Sequence, residues 1–184
     1  MEKGAIFMEK EKPTYDFNVY FPTGEDFGMA QVVADWTKKY GNMLPKSVDE
    51  ILSFFKAGNS ILITNQESVL VSHAAITFAY PGNWKEVGGL VTNEDFRRMG
   101  AASVAVKELI KLALRKDPTI RLFALANKVS AGVFEKLGAE KMLSTQLPSE
   151  VWDPCKTCPN YKTPKERVIF QCCDIPYNLT NIAI

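Results

Sequence analysis

Residues 84–102 read WKEVGGLVT, NEDF and RRMGAA in succession, and this stretch decides the fold. Aromatic, β-branched and aliphatic side chains over residues 84–92 favour a buried strand. Gly88 and Gly89 interrupt that strand. Paired glycines there predict a bulge, or a place where another backbone or a ligand comes close. We therefore expect a strand that is distorted at its centre.

A helix is predicted to follow this strand and to end near Lys116, before Pro118. Its apolar residues recur at i, i+3, i+4, i+7, i+8 and i+11 and form one stripe. The stripe consists of Ala102, Ala105, Val106, Leu109, Ile110 and Ala113. Residues 97–102, between strand and helix, are small and basic. Free amides, the positive end of the helix dipole and the guanidinium groups there predict an anion-binding site.

Upstream, the chain predicts a short strand over residues 17–21 and two helices. Thr23 or Asp26 can cap the first helix, which runs towards Tyr40 and ends at residues 41–42. Its predicted apolar face is Val32, Val33 and Trp36. The second helix begins with a capping box, in which Ser47 is followed three residues later by Glu50.

Further strands are predicted on both sides of the central stretch. Residues 61–64, 69–80 and 84–92 are joined by turn residues at 65–67 and 81–83, which favours antiparallel hairpins. Residues 120–126 form the next predicted strand. A helix over residues 129–137, closed by Gly138, and strands over residues 139–146 and 167–173 complete the chain. The strand–helix–strand unit through the central helix makes its two strands parallel neighbours.

Length and composition describe one globular domain. The chain has 184 residues, of which 46% are hydrophobic and 23% charged, and its net charge of +1 argues against a general nucleic-acid binder. No apolar run approaches membrane-spanning length, so we expect a cytoplasmic protein without membrane contact. Residues 1–14 are expected to be a flexible leader. Residues 15–184 are expected to be the single domain, with a cysteine-containing C-terminal segment at about residues 150–175.

Four cysteines lie in that C-terminal segment, as Cys155-x-x-Cys158 and the pair Cys172-Cys173. Four cysteines in one short segment are typical of a structural zinc site. However, adjacent cysteines rarely ligate one metal, and the C-terminal part of the sequence contains no histidine. Free or packed thiols and a redox-active Cys-x-x-Cys loop are the alternatives. We assign no metal ligands.

Two motifs resemble the GNAT family of N-acetyltransferases. Arg97-x-x-Gly100-x-Ala102, after a strand and before a helix, is similar to the acetyl-coenzyme A signature of that family. Residues 124–141, ALANKVSAGVFEKLGAEK, resemble its second motif, in which a strand ends at an Asn and a helix leads to a Leu-Gly pair. The resemblance covers roughly residues 85–142.

This resemblance implies an α/β (α+β) fold and a coenzyme site. The expected fold is a mixed, mostly antiparallel sheet of six to seven strands, with helices on both faces and a splayed fourth and fifth strand. The bulge would then free the backbone of Leu90 and Val91 to pair with pantetheine. The expected phosphate contacts come from the loop, namely Arg97, Arg98, Met99, Gly100, Ala101 and Ala102. The two arginines supply charge, and the small residues let phosphate approach the amides.

Two residues of the second motif carry further expectations. The family's Asn at the position of Asn127 commonly contacts the coenzyme. As an N-cap, it can also serve the following helix. Many relatives place a Tyr at the position of Phe134 as the acid that protonates the leaving thiolate, and Phe cannot donate a proton. We expect Phe134 to face the coenzyme sulfur, with water in place of the phenol; the alternative is that it packs in the core.

Glu86 is the candidate general base, because some relatives carry a catalytic Glu at this point of the fourth strand. The alternative is a carboxylate that only holds a substrate ammonium or an arginine. His73, the one histidine in the chain, is expected to be a satisfied sheet residue and not a base.

The resemblance implies an acetyl-coenzyme A-dependent N-acetyltransferase that acts on a primary amine of a small molecule. A weaker resemblance, through GNMLPKSVDEI at residues 41–51 and VWDPCKTCP at residues 151–159, is to a branch that includes short-form N-acetylglutamate synthases, so an amino acid is one candidate acceptor. A non-catalytic acyl-coenzyme A sensor and a protein or peptide N-acetyltransferase are the alternatives. Whether the protein forms a homodimer stays open.

Overall fold

Seven strands and four α-helices are found among residues 16–40, 43–157 and 175–183, which are the residues that the computed structural model describes. The strands are β1 (Asn18–Tyr20), β2 (Ser60–Thr64), β3 (Leu70–Tyr80), β4 (Trp84–Thr92), β5 (Arg121–Ala126), β6 (Glu140–Lys141) and β7 (Ile175–Asn178). The helices are α1 (Phe27–Tyr40), α2 (Val48–Lys56), α3 (Ala101–Lys116) and α4 (Ala131–Lys136).

All seven strands belong to one sheet, in the order β1-β2-β3-β4-β5-β7-β6. Only the β4–β5 pair is parallel among these strands, as the intervening helix α3 requires. The two predicted hairpins join β2 to β3 and β3 to β4 in antiparallel fashion. The predicted mixed, mostly antiparallel sheet is confirmed.

The helices cover both faces of the sheet. Along β2, Ile61 and Ile63 pack beneath α3, and Leu62 between them packs beneath α1 and α2. This is the period of two that a strand buried on both faces requires. The α3 stripe buries Ala105, Val106, Leu109, Ile110 and Ala113 as predicted, whereas Ala102 is half-buried and Ala101 is buried instead. These residues belong to the largest of three buried hydrophobic clusters.

The predicted capping box starts α2. Ser47 Oγ accepts a hydrogen bond from the Glu50 N–H at 3.2 Å, and Glu50 Oε2 accepts one from the Ser47 N–H at 2.8 Å. The predicted face of α1 is partly wrong. Val32 is 39% exposed, and the buried stripe is Ala30, Val33, Ala34 and Thr37. The predicted end of this helix, at residues 41–42, lies outside the described residues.

The predicted sheet is least accurate near its C-terminal end. The strand predicted over residues 139–146 is only Glu140–Lys141, because the chain then turns into a 3₁₀ helix over Ser144–Gln146. The Gln146 carboxamide stabilises that turn by accepting a hydrogen bond from the Leu143 N–H at 2.7 Å. The strand predicted over residues 167–173 and the leader at residues 1–14 both lie outside the described residues. The final strand, β7, was not predicted.

Candidate functional site

The sheet opens between β4 and β5. The two strands pair only at their first three residues, Trp84 with Arg121, Lys85 with Leu122 and Glu86 with Phe123. Beyond Phe123, β5 has no further pair with β4, while its other edge stays paired with β7 as far as Ala126. The predicted splay is therefore confirmed, and Glu86 lies at the fork where the strands part.

The predicted bulge lies at Gly89 and Leu90. Val91 is opposite His73 whereas Gly88 is opposite Ala75, so β4 has one residue more than β3 across this interval. Gly89 has a φ of +58°, and a Cβ added to it would lie 3.3 Å from His73 Cε1. Both observations favour glycine at this position.

The bulge reverses which face the later β4 side chains occupy. Val87 packs in the core beneath α3, and Val91 packs in the core beneath α1 and α2. Residues four apart in a regular strand share a face, so the extra residue accounts for the switch. One strand thus contributes to the cores on both faces of the sheet.

The pairing register of β3 and β4 shows which residue near the end of β4 directs its backbone groups into the gap between β4 and β5. It favours Thr92 over Val91. Asn93 N–H donates to the Val71 carbonyl at 2.9 Å, and the alternation of antiparallel pairing then directs the backbone of Val91 at β3 as well. The Val91 carbonyl also accepts a hydrogen bond from Ser72 Oγ at 3.0 Å. The same alternation directs the backbone groups of Thr92 away from β3. Pairing of the Leu90 and Val91 backbone with pantetheine stays a prediction; the direction of the Val91 backbone argues against its part in it, and Leu90 lies within the bulge.

The start of α3 has the features of an anion site. Gly100 is the N-cap residue, with a φ of +93°, and no side chain caps this helix end. The first helical hydrogen bond runs from the Val104 N–H to the Gly100 carbonyl at 3.1 Å, which leaves the amides of Ala101, Ala102 and Ser103 without an intrahelical acceptor. A Cβ added to Gly100 would meet no atom within 4 Å. This space and these donors fit a pyrophosphate group.

The two arginines of the loop differ in geometry. Arg97 lies with its guanidinium carbon 4.4 Å from the centre of the Tyr40 ring, and its backbone φ is −67°. Arg98 is exposed and has a φ of +66°, a conformation that costs an L-residue free energy. Met99 is half-buried between them and the helix.

Replacing Arg98 with glycine is expected to hold or raise the free energy of unfolding, by up to about 1 kcal/mol, because glycine adopts positive φ without strain. Affinity for coenzyme A should fall in the same variant, since a cation beside the anion site is lost. Thermal denaturation and calorimetry measure the two effects. Arg97→Gly is the matched control: at its negative φ, glycine should destabilise the protein. Equal stability losses in both variants would contradict the strain argument.

Asn127 caps the segment that leads into α4. Its Oδ1 accepts hydrogen bonds from the N–H groups of Val129 and Ser130, at 2.9 and 3.0 Å. Asn127 thus caps the turn at residues 128–130, whereas α4 begins at Ala131 and not at Val129, with Ser130 as its N-cap residue. Contact between Asn127 and the coenzyme stays a prediction.

Phe134, a residue of α4, lies in the core beneath α3. Its side chain is 2% exposed, and its ring stacks on Tyr177 with 5.8 Å between ring centres. The Tyr177 hydroxyl donates to Glu135 Oε1 at 2.7 Å. This burial favours the packing alternative over a ring presented to the coenzyme sulfur, and the sulfur contact stays a prediction.

Replacing Phe134 with tyrosine is therefore expected to lower the free energy of unfolding by about 1–3 kcal/mol, because a hydroxyl would be buried without a partner. Thermal or denaturant unfolding measures the loss. Phe27→Tyr is the matched control, since Phe27 is 59% exposed and the same oxygen would enter water. An unchanged melting temperature together with higher turnover would place Phe134 beside the sulfur.

Glu86 has an environment suited to a general base. Phe78 lies opposite it on β3, and Tyr80 donates its hydroxyl to Glu86 Oε2 at 3.2 Å. Burial raises the pKa of Glu86 from 4.5 to about 7, against the lowering effects of the Tyr80 hydrogen bond and of Lys46. Its pKa thus lies near physiological pH, where a proton acceptor works best.

Lys46 was not predicted as a site residue. Its Nζ lies 5.4 Å from the centre of the Phe78 ring and 3.1 Å from Glu50 Oε1. The buried Thr37 accepts a hydrogen bond from the Lys46 N–H at 2.9 Å, which holds the backbone beside the fork. Sequence gave no signal for this position, since a lysine between two helices is usually solvated.

His73 is fully buried in the sheet, as expected for a residue that is not a base. Burial lowers its pKa from 6.5 to about 4, so the imidazole is neutral at physiological pH. Among the described residues, no group of three or more His, Cys, Asp or Glu could hold a metal ion. Cys158, Cys172 and Cys173 lie outside the described residues, and the side chain of Cys155 is not described. Within the described part of the chain, every helix is too short or too polar to cross a membrane.

Solved structures with the same fold come from several bacteria. N-acetylglutamate synthase from Neisseria gonorrhoeae, complexed with coenzyme A and N-acetyl-glutamate, aligns at 15% identity with a TM-score of 0.63 over 77% of this chain and 32% of that chain. Rv2747 from Mycobacterium tuberculosis, in complex with CoA and NLQ, aligns at 16% identity with a TM-score of 0.59, over 77% of this chain and 82% of that chain. A GNAT acetyltransferase from Staphylococcus aureus aligns at 11% identity with a TM-score of 0.59, over 89% of this chain and 99% of that chain.

These identities show a shared fold, and the chain spans about a third of the gonococcal synthase. No sequence relative is found among curated proteins. The splayed sheet, the uncapped start of α3 and the raised pKa of Glu86 are together typical of a group-transfer enzyme with a phosphate-bearing donor. Residues 29–139 match the family model described as Acetyltransferase (GNAT) family. The protein therefore belongs to the GNAT acetyltransferases, whose acyl donor is acetyl coenzyme A.

Proposed function

We propose that the protein transfers an acetyl group from acetyl coenzyme A to a primary amine of a small molecule, by direct attack in a ternary complex. The observation that carries this proposal is the position of Glu86. It lies at the fork of the sheet, has a pKa near 7, and belongs to the strand that leads into the Arg97–Ala102 loop. Base and donor site are thus held by one continuous segment.

Acetyl coenzyme A supplies an activated thioester. In the proposed mechanism, the amides of Ala101, Ala102 and Ser103 bind its phosphates, with charge from Arg97 and Arg98. The backbone of Leu90 and Thr92 positions the pantetheine arm within the gap.

Glu86 accepts the proton that the attacking amine must lose, directly or through water. The Tyr80 hydroxyl, bonded to Glu86 Oε2, fixes the orientation of the carboxylate and leaves Oε1 for the acceptor. Water is the proposed acid for the leaving thiolate. In this proposal, Lys46 and the aromatic rings of Phe78 and Tyr80 form the wall on which the acceptor lies.

Amino acids are the acceptors that we would test first. The gonococcal synthase was solved with N-acetyl-glutamate, which shows that this fold accommodates an N-acetylated amino acid. Lys46 offers a positive charge beside Glu86, and such a pair suits an acceptor with both an amine and a carboxylate. A reaction that consumes acetyl coenzyme A also fits the cytoplasm, which we keep as the proposed location.

Release of free coenzyme A tests the proposal. Amino acids, diamines without a carboxylate, and short peptides are each supplied with acetyl coenzyme A, and a thiol reagent records the rate. We expect the fastest release with small amines. Release only with peptides would favour the protein or peptide acetyltransferase alternative, and no release with any amine would contradict the proposed reaction.

A further inference from the structure

A buried chain of hydrogen bonds holds the bulge of β4 in place. His73 Nδ1 lies 2.8 Å from the carbonyl oxygen of Gly89, and His73 Nε2 lies 3.2 Å from Ser60 Oγ. The exposure of His73 is 0% and that of Ser60 is 2%. The contacts therefore link β2, β3 and β4 within the core.

The direction of each hydrogen bond follows from the chemistry of its end groups. A carbonyl oxygen can only accept, so His73 Nδ1 carries the hydrogen that is donated to Gly89. In the neutral imidazole, Nε2 then has a lone pair, and the Ser60 hydroxyl donates to it. Burial against the Phe55 ring, at 6.0 Å between ring centres, disfavours the charged form.

The Gly89 carbonyl needs such a donor. It belongs to the bulge, where the ladder of β3–β4 hydrogen bonds is interrupted, and Gly89 is buried. A buried carbonyl without a donor is costly, so removing the imidazole would favour another backbone conformation at Gly89 and Leu90. That change would propagate to Thr92 and to the start of the arginine loop.

We infer that His73 is a positioning residue for coenzyme binding, because its Nδ1–H fixes the Gly89 carbonyl and thereby the course of β4 into the gap. This inference rests on the proposed function. It gives a role to a histidine that the proposed proton transfers do not use. Ser60 supports that role by holding the hydrogen on Nδ1.

Two amide substitutions separate this role from simple packing. Asparagine at position 73 can place its NH₂ where Nδ1 lies and donate to Gly89, whereas glutamine reaches the place of Nε2 and contacts Ser60. His73→Gln is expected to weaken coenzyme A binding and to raise the KM for acetyl coenzyme A roughly fivefold to tenfold, as expected for one lost hydrogen bond. His73→Asn should stay within about threefold of the unmodified protein.

Both variants remove the ring, and asparagine leaves the larger cavity because it has one methylene less, so loss of packing alone would affect His73→Asn at least as much as His73→Gln. Equal coenzyme A affinity in the two variants, with both folded, would overturn the inference. A greater loss in His73→Asn than in His73→Gln would also overturn it. Calorimetry with coenzyme A and circular dichroism supply the two measurements.

The tautomer provides a test that needs no activity. Because the chain has a single histidine, its ¹⁵N imidazole signals need no assignment between residues. We expect a protonated Nδ1 and an unprotonated Nε2 at neutral pH, and the opposite tautomer would overturn the inference. If the unmodified protein fails to bind coenzyme A, the proposed function and the positioning role both fall, while the tautomer still shows whether the bulge is held.

Discussion

Replacing Glu86 with glutamine is expected to lower turnover about 10²–10⁴-fold at neutral pH, because glutamine keeps the shape of the side chain but accepts no proton. Affinity for coenzyme A should hardly change, since Glu86 lies at the fork and not in the phosphate-binding loop. Steady-state kinetics with a saturating amine, combined with calorimetry, separate the two quantities.

The pH dependence gives a second signature of the same role. With the pKa of Glu86 at about 7, the carboxylate becomes ionised as the pH rises through neutrality, so turnover of the unmodified protein should rise over that range. The inflection should vanish in Glu86→Gln. The loss of turnover in this variant should become smaller at high pH, where the amine loses its proton unaided. Tyr80→Phe should move the inflection to higher pH, because the Tyr80 hydrogen bond lowers the pKa of Glu86.

Glu67→Gln, in the hairpin between β2 and β3, is the matched control and should leave turnover unchanged. Turnover of Glu86→Gln within a few-fold of the unmodified protein at neutral pH would make Glu86 a binding or structural residue.

Replacing Gly100 with tryptophan is expected to weaken coenzyme A binding by about 3 kcal/mol or more, roughly 100-fold. The indole would occupy the open space in front of the α3 amides, where several charge-assisted hydrogen bonds to phosphate are proposed. Isothermal titration calorimetry with coenzyme A measures the loss directly.

Backbone strain must be separated from blocked access, because Gly100 has a positive φ. Gly138 after α4 provides the control: its φ is +81°, and a Cβ added there also meets nothing within 4 Å. Gly138→Trp should lose a similar amount of stability and keep its coenzyme affinity. Unchanged affinity in a folded Gly100→Trp variant would exclude this loop as the phosphate site.

Local sequence signals predicted the part of the fold that carries the proposed donor site. The capping box at Ser47, the stripe of α3 and the glycine pair in β4 each depend on neighbouring residues, and each prediction is confirmed. The bulge in particular follows from the backbone freedom of Gly89, which no distant contact has to reveal.

Features set by distant contacts were not predictable in the same way. β7 contains Pro176, a residue that argues against a strand, and it forms because β5 and β6 flank it. Val32 is more apolar than Ala30 or Ala34, yet the small residues allow α1 to approach the sheet closely.

The candidate site shows the same division. Glu86 and the arginine loop belong to a stretch of sequence whose pattern can be recognised from neighbouring residues. By contrast, Lys46 reaches the fork only through the packing of α1 and α2. The proposed choice of Thr92 over Val91 as the backbone partner of pantetheine depends on which residue of β3 lies opposite, and the sequence of β4 alone does not contain that register.

The extra residue in β4 makes chain length, as well as residue identity, a constraint on this enzyme. Deleting Gly89 would remove the bulge and restore regular alternation, so that Val91, then three residues after Val87, would stay in the core beneath α1 and α2 while the distorted backbone at Leu90 would be lost. It would also shorten the connection between Glu86 and Arg97 by one residue. The number of residues between Glu86 and the arginine loop is thus fixed by β4 and the turn that follows it. We expect insertions and deletions in this stretch to be tolerated less well than substitutions.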